Sequence, residues 1–160
     1  MDKNKRMPYV AGKFYPGTSD EIIKGFEHYL DKEKEDIDYS LAENYILGAI
    51  LPHAGHVYCG YESIHFFEIL RKSMQEVDTF IIMHPLHQGG HFDVVTDSVD
   101  YWNTPLGDVK IDAEFIKAAD IEKMHNMLCK EHSAEVLLPF LQYFANKPFS
   151  IVPIGFAKQN

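Results

Sequence analysis

Cysteine is scarce in this chain of 160 residues, with Cys59 and Cys129 the two present. Two cysteines do not make a disulfide scaffold. Without a C-x-x-C pair they do not mark a zinc ribbon either, although a structural zinc site built from them and histidines stays open. No apolar run reaches the ~20 residues of a membrane span. The opening residues, 1–7, are polar and basic with no apolar core behind them, so no signal-peptide pattern is present. These absences lead us to expect a cytoplasmic protein that does not meet a membrane. Positive charge is also short: 15 Lys and Arg against 24 Asp and Glu give a net charge of −9. That balance argues against a nucleic-acid surface, which needs a basic patch. There is no Walker loop, no G-x-G-x-x-G and no H-E-x-x-H, so no motif supports a kinase, a dehydrogenase or a zincin. No internal repeat or low-complexity segment is visible.

Histidine is what the chain has in excess. Of nine, six (His53, His56, His65, His84, His87 and His91) fall within 39 residues. Two of the densest loops each follow an apolar run. Residues 44–51 read as a buried strand, short and continuous, that delivers the chain to Pro52-His53-Ala-Gly55. Residues 77–83 read as a second strand, which ends in His84-Pro-Leu-His87. Residues 149–156 read as a third.

Helical signals alternate with these runs. Thr18-Ser-Asp-Glu21 has the capping-box pattern ahead of Ile22, Ile23, Phe26 and Leu30, which predicts a helix over 20–32. Ile64, Phe67 and Leu70 predict one over 62–72. Asp112 is placed to cap a helix running to 119. Leu137, Phe140, Leu141 and Phe144 predict a helix over 133–145, in which Pro139 kinks the helix or shifts its start. Residues 9–16 read as an extended aromatic arm. Residues 121–130 fit neither period. The alternation gives an α/β domain with a largely parallel sheet covered on both faces. In such sheets function gathers at the carboxyl ends of strands, where both histidine loops begin.

His53 and His87 are therefore the leading metal-ligand candidates, since imidazole suits Fe, Cu, Zn and Ni. The plainer reading is that each caps a loop or bonds a carbonyl. The pairs His53/His56 and His84/His87 share an H-x-x-H spacing, which says little inside Gly/Pro loops. Glu131-His132-Ser133 offers three readings. Glu131 orients a ligating histidine, His132 acts in acid–base catalysis, or Ser133 caps the last helix. Cys59 is a third ligand, a reactive thiol or a packed side chain, and Cys129 reads as structural. Tyr58, Tyr61, Tyr101 and Trp102 are either pocket lining or core.

Five stretches in order carry a resemblance: Val10-Ala-Gly-Lys-Phe-Tyr-Pro16, Pro52-His-Ala-Gly55 with Tyr58-Cys-Gly60, Pro85-Leu-His87, Thr104-Pro-Leu-Gly107, and Glu131-His-Ser-Ala-Glu-Val-Leu-Leu-Pro-Phe140. Together they resemble the MEMO-like proteins, also called AmmeMemoRadiSam system protein B, which are similar in fold to class III extradiol dioxygenases. The resemblance implies a three-layer α/β/α fold with a largely parallel or mixed sheet. It implies a divalent metal, iron or copper first and zinc next, with His53 and His87 as ligands. The family's other site residues, a histidine in a D-F-x-H motif and a later cysteine, lie beyond residue 160. The expectation is thus one MEMO-like domain over 1–160 that corresponds to the N-terminal part of longer relatives. Leu86 stands where the family usually has Ser, His84 where Gly is common, and His56 where an aromatic is usual. Two functions follow from the resemblance. One is a metal-dependent redox protein of dioxygenase type. The other is a non-catalytic adaptor that binds a peptide, or a radical-SAM or AMMECR-type protein, in the same cleft. An exposed sheet edge after residue 156 would favour oligomers.

Overall fold

The computed structural model describes residues 4–90 and 93–157. The chain begins with strand β1 (Lys5–Arg6) and helix α1 (Ser19–Glu33), then a 3-10 turn (Tyr39–Glu43) and helix α2 (His56–Lys72). Strands β2 (Thr79–Pro85), β3 (Val94–Val95), β4 (Tyr101–Thr104) and β5 (Gly107–Ile111) follow. Helices α3 (Ala113–Ala118) and α4 (His125–Leu128) and a 3-10 turn (Glu135–Leu137) lead to α5 (Leu138–Phe144) and β6 (Ser150–Phe156). The strands form one six-stranded sheet in the order β1-β4-β5-β6-β2, with β3 paired to β6. Pairs β1/β4, β5/β6 and β2/β6 are parallel, while β4/β5 and β3/β6 are antiparallel. The result is the mostly parallel α/β/α architecture expected of the sequence.

Strand β6 is central because it is apolar on both faces: Ile151 and Val152 are fully buried. Its full length pairs with β2, from Thr79↔Ser150 to Pro85↔Phe156. That register brings the end of β2 level with the end of β6, so His87, just beyond Pro85, arrives at the sheet's rim. Helices α1, α2 and α5 pack on one another through Phe26, Phe67 and Phe140, whose rings lie 4.3 Å and 4.9 Å apart. Thr18 caps α1 as its motif predicts, accepting from Glu21 N and donating to Glu21 Oε2 (2.7 Å). Asp112 caps α3 by accepting from Phe115 N (2.9 Å).

Four expectations change. Residues 44–51 are not a strand. Ile46 is held by the Gln75 side chain, which accepts from its N–H and donates to its carbonyl at 2.9 Å each. Leu47 and Ile50 point outwards, 93% and 102% exposed, while Ile46 and Leu51 lean on the core, and no strand pairs with the run among the described residues. An apolar run becomes a strand only where a neighbour accepts its hydrogen bonds, and here one amide side chain does so at one position. Residues 9–16 are a tight double turn rather than an extended arm. Lys13 N and Phe14 N both donate to Val10 O, and Gly12 takes φ +75°, the left-handed region open to glycine. Helix α2 starts at His56, earlier than its apolar period suggests, because Gly55 caps it and His56 N donates to Phe14 O (2.7 Å). The last helix starts at Leu138, with Pro139 in its first turn, where a missing N–H costs nothing. Strand β4 has no clear sequence signal of its own.

No helix among the described residues is long and apolar enough to cross a membrane.

Candidate metal centre

The rim after β2 is built by steric fit. Leu86 is buried, donates its N–H to Phe156 O (2.9 Å) and fills the space a Cβ on Gly155 would occupy. Gly89, at φ +63°, closes the turn by donating to Leu86 O. His87 is thereby lifted onto the rim with its side chain 43% exposed.

Glu131 arrives from the other end of the sequence and fixes His87 twice. Its Oε2 accepts from His87 N (2.8 Å) and its Oε1 from His87 Nδ1 (2.9 Å). Oε1 also accepts from His132 N (2.8 Å) and Ser133 N (3.0 Å). Burial alone would raise this carboxyl, but the donors from Ser133 and His87 outweigh it and bring it down to about 2. Glu131 is therefore a buried anion at neutral pH whose lone pairs are already engaged. The bond to Nδ1 leaves His87 Nε2 as the ring atom turned to the site.

His132 stacks on His87, with ring centroids 4.5 Å apart and planes 24° apart. The His53 ring stands beside this pair, its centroid 5.2 Å from that of His87 and 6.1 Å from that of His132, outside the group of closest ligand atoms. Phe14 stands edge-on to His132 at 4.8 Å, a wall of the site that carried no signal in the sequence. Burial pushes the His53 imidazole below its ordinary value, and neighbouring His87 adds to this against the pull of Glu131. Burial does the same to His132, opposed by Glu131 and aided by His87 and His53. Both rings are thus held neutral, the state in which a ring nitrogen can take a metal or a proton. Among the described residues, His87, Glu131 and His132 are the group whose ligand atoms lie within 4.8 Å of one another and could hold a metal ion.

Other candidates fall elsewhere. His56 is buried against Tyr15, Phe26 and Phe140 and bonds Val136 O (2.8 Å), so it supports the helix layer and does not join His53. His84 is also buried. Ser133 Oγ donates to Pro85 O (2.9 Å), so His84 Nδ1 donates to Ser133 Oγ (2.8 Å) and its own proton sits there. Ser133 thus ties β2 to the Glu131 turn and does not cap the last helix. His91 lies outside the described residues. Cys59 is packed, its thiol donating to Ala54 O (3.2 Å), and no metal-ligand group among the described residues includes either cysteine. Trp102 is core, fully buried with the Arg6 guanidinium 4.2 Å from its ring centroid, not pocket lining.

Sequence reasoning missed the brace behind the site. Arg6 is buried and donates to Leu128 O (3.0 Å) and Glu131 O (2.6 Å), and pairs with Glu135 Oε2 (2.7 Å). Glu135 in turn accepts from Tyr9 N, Val10 N and Tyr15 OH at 2.9–3.0 Å. It therefore seats the N-terminal turn that presents Phe14. The one available signal was Glu135 four residues after Glu131, an acid placed among apolar residues.

A mostly parallel α/β sheet thus carries at its strand ends a carboxylate-anchored histidine cluster that could hold a metal ion. The profile of the family described as Memo-like protein matches residues 6–160, and the chain belongs to that family. It is 41% identical over 162 residues to a MEMO1 family protein of Methanococcoides burtonii, covering 97% of this chain and 56% of that one. It is 38% identical over 165 residues to a MEMO1 family protein of Methanobrevibacter smithii, covering 96% and 57%. A MEMO1 family protein of Archaeoglobus fulgidus is 35% identical over 161 residues, covering 97% and 55%. The chain spans a little over half the length of these relatives.

Proposed function

We propose that this chain carries the rim of a metal-dependent redox protein of extradiol-dioxygenase type, working in the cytoplasm. The observation that carries the reading is the Glu131 bond to His87 Nδ1. Metal-ligating histidines characteristically give their other N–H to a carboxylate, which fixes the ring and raises its basicity. The donor set fits a divalent transition metal: His87 and His53 would hold it through ring nitrogens, in a cluster whose carboxylate is already satisfied. Iron or copper bound there would leave positions open to oxygen or substrate, and zinc would act as a Lewis acid. His132, neutral and stacked on His87, would take a proton from a bound substrate hydroxyl at its ring nitrogen. Phe14 would pack against that substrate and exclude water from His132.

The test is metal titration. Fe2+, Cu2+ and Zn2+ are expected to bind wild-type protein, with affinity falling at least about tenfold in His53→Ala and in His87→Ala. Glu131→Gln is expected to lose roughly 10–100-fold, as removal of an orienting carboxylate does. Unchanged affinity in both histidine variants would sink the proposal.

A second reading is an adaptor that binds a peptide, or a radical-SAM or AMMECR-type protein. The apolar side chains of Ile50, Val57 and Tyr58 stand exposed around the His53 loop and favour it. Peptide binding that persists in chelator, without metal-dependent oxygen uptake, would select this reading over the first.

A further inference from the structure

Strand β2 is the edge of the sheet. It is bonded to β6 along its whole length and, among the described residues, to no other strand, so the N–H and C=O groups of its outer edge meet no ladder. Such an edge is usually guarded by a charge, a bulge or a cover. This one has no charged residue: residues 79–85 read Thr-Phe-Ile-Ile-Met-His-Pro. Ile81 and Met83 project from the same face, two residues apart, and are 49% and 71% exposed.

The run 45–51 follows the same course. The Gln75 side chain, just ahead of β2, holds Ile46. Beyond the other end of the run, the His53 ring stands 5.2 Å from that of His87, just past β2. Run and strand therefore travel in one direction between the same two ends. Between these ties Leu47 and Ile50 are 93% and 102% exposed, and Tyr45 ahead of them is 77% exposed. None of the chain's 15 Lys and Arg or 24 Asp and Glu falls in either segment. An uncharged apolar face of this breadth marks an interaction site. Unpaired main chain on it narrows the occupant to an extended strand, which gains affinity from backbone hydrogen bonds and specificity from alternate side chains. The family indicates where such a strand resides. This chain spans 56%, 57% and 55% of the three relatives, so more than two-fifths of each lies outside the match.

We propose that the outer edge of β2 and the run 45–51 together take up an uncharged apolar β-strand. The strand comes from the part of a MEMO-family protein that lies outside the match, carried on a separate polypeptide. Its main chain bonds to the outer edge of β2, and its side chains cover Ile81 and Met83 on one side and Leu47 and Ile50 on the other. The docking face does not rest on the metal reading.

The experiment co-expresses the full chain with the part of the Methanococcoides burtonii protein that lies outside the match, and purifies the product in chelator. A one-to-one complex is expected, in which hydrogen exchange slows at residues 45–51 and 79–85. Ile50→Lys and Met83→Lys place a charge on the face, and each is expected to weaken the complex at least about tenfold. Both side chains already meet water, so the variants keep their fold, which circular dichroism checks. Met7→Lys, 64% exposed next to β1 at the opposite edge of the sheet, is expected to leave the complex unchanged. The proposal is overturned if no complex forms, if both face variants bind as tightly as wild type, or if exchange slows only elsewhere. It is equally overturned if the chain alone forms a dimer that these two substitutions dissociate, since a second copy would then be the occupant.

Discussion

Arg6 is the residue on which most of the site's rigidity depends. Its guanidinium is removed from water, lies over Trp102 and reaches Leu128 O, Glu131 O and Glu135. A buried ion pair adds little stability relative to a well-packed apolar pair, but breaking one side strands the other charge. Glu135→Gln is therefore expected to destabilise the protein by about 3–5 kcal/mol, measured by urea unfolding. It is also expected to loosen the turn at residues 9–16. A loss under ~1 kcal/mol would mean that the pair is not desolvated as drawn. The same carboxylate, with burial, pushes the Tyr15 phenol well above its ordinary range, so Tyr15 acts as a hydrogen-bond donor at any working pH. None of this was legible beforehand. An arginine in a polar N-terminal stretch reads as a solvated charge, and only the chain's return between Leu128 and Glu135 desolvates it.

Among the elements, α1 and α2 approach closely because Gly60 has no side chain. A Cβ there would overlap the Tyr29 ring. Gly60→Ala is expected to cost roughly 1–3 kcal/mol through overpacking, despite alanine's better helix propensity. A variant with raised thermal stability would show that the ring moves aside freely. The segment before His53 behaves in the opposite way. Leu47→Asp and Ile50→Asp are expected to change stability by no more than about 0.5 kcal/mol, since both side chains already face water. Thermal unfolding checks this, and a large loss would mean that the run is covered after all. Helices α1 and α3 were legible because caps and 3.6-residue periods are local. Residues 44–51 were misread because an apolar run states what it would prefer to touch, not what is present beside it.

At the scale of the whole molecule, the histidines set its response to acid. Burial brings both His56 and His84 down to about 4. Their ordinary value is 6.5, so between these limits the unfolded chain binds protons that the folded chain refuses. Their stabilising effect is complete above 6.5 and is lost as pH falls towards 4, at about 3 kcal/mol for each. Glu131 adds a second loss below its ordinary 4.5, as pH approaches 2. Urea unfolding at pH 7.5, 5.5 and 4.5 should show a steep decline, made shallower by His56→Phe. A flat profile over this range would contradict the burial of these rings.

The sequence by itself determined the alternation of strands and helices, the strands β2 and β6, which pair along their whole length, and the presence of histidines at the end of β2. These depend on apolar spacing and capping within a few residues, which the chain carries wherever it goes. Only the tertiary structure decided that Glu131 would meet His87 across 44 positions, that His56 and His84 would be core and not ligands, and that the run before His53 would stand unpaired. Those outcomes turn on which carboxylate is desolvated beside which ring and which strand finds a neighbour. Both are set by contacts between segments that local periodicity does not encode.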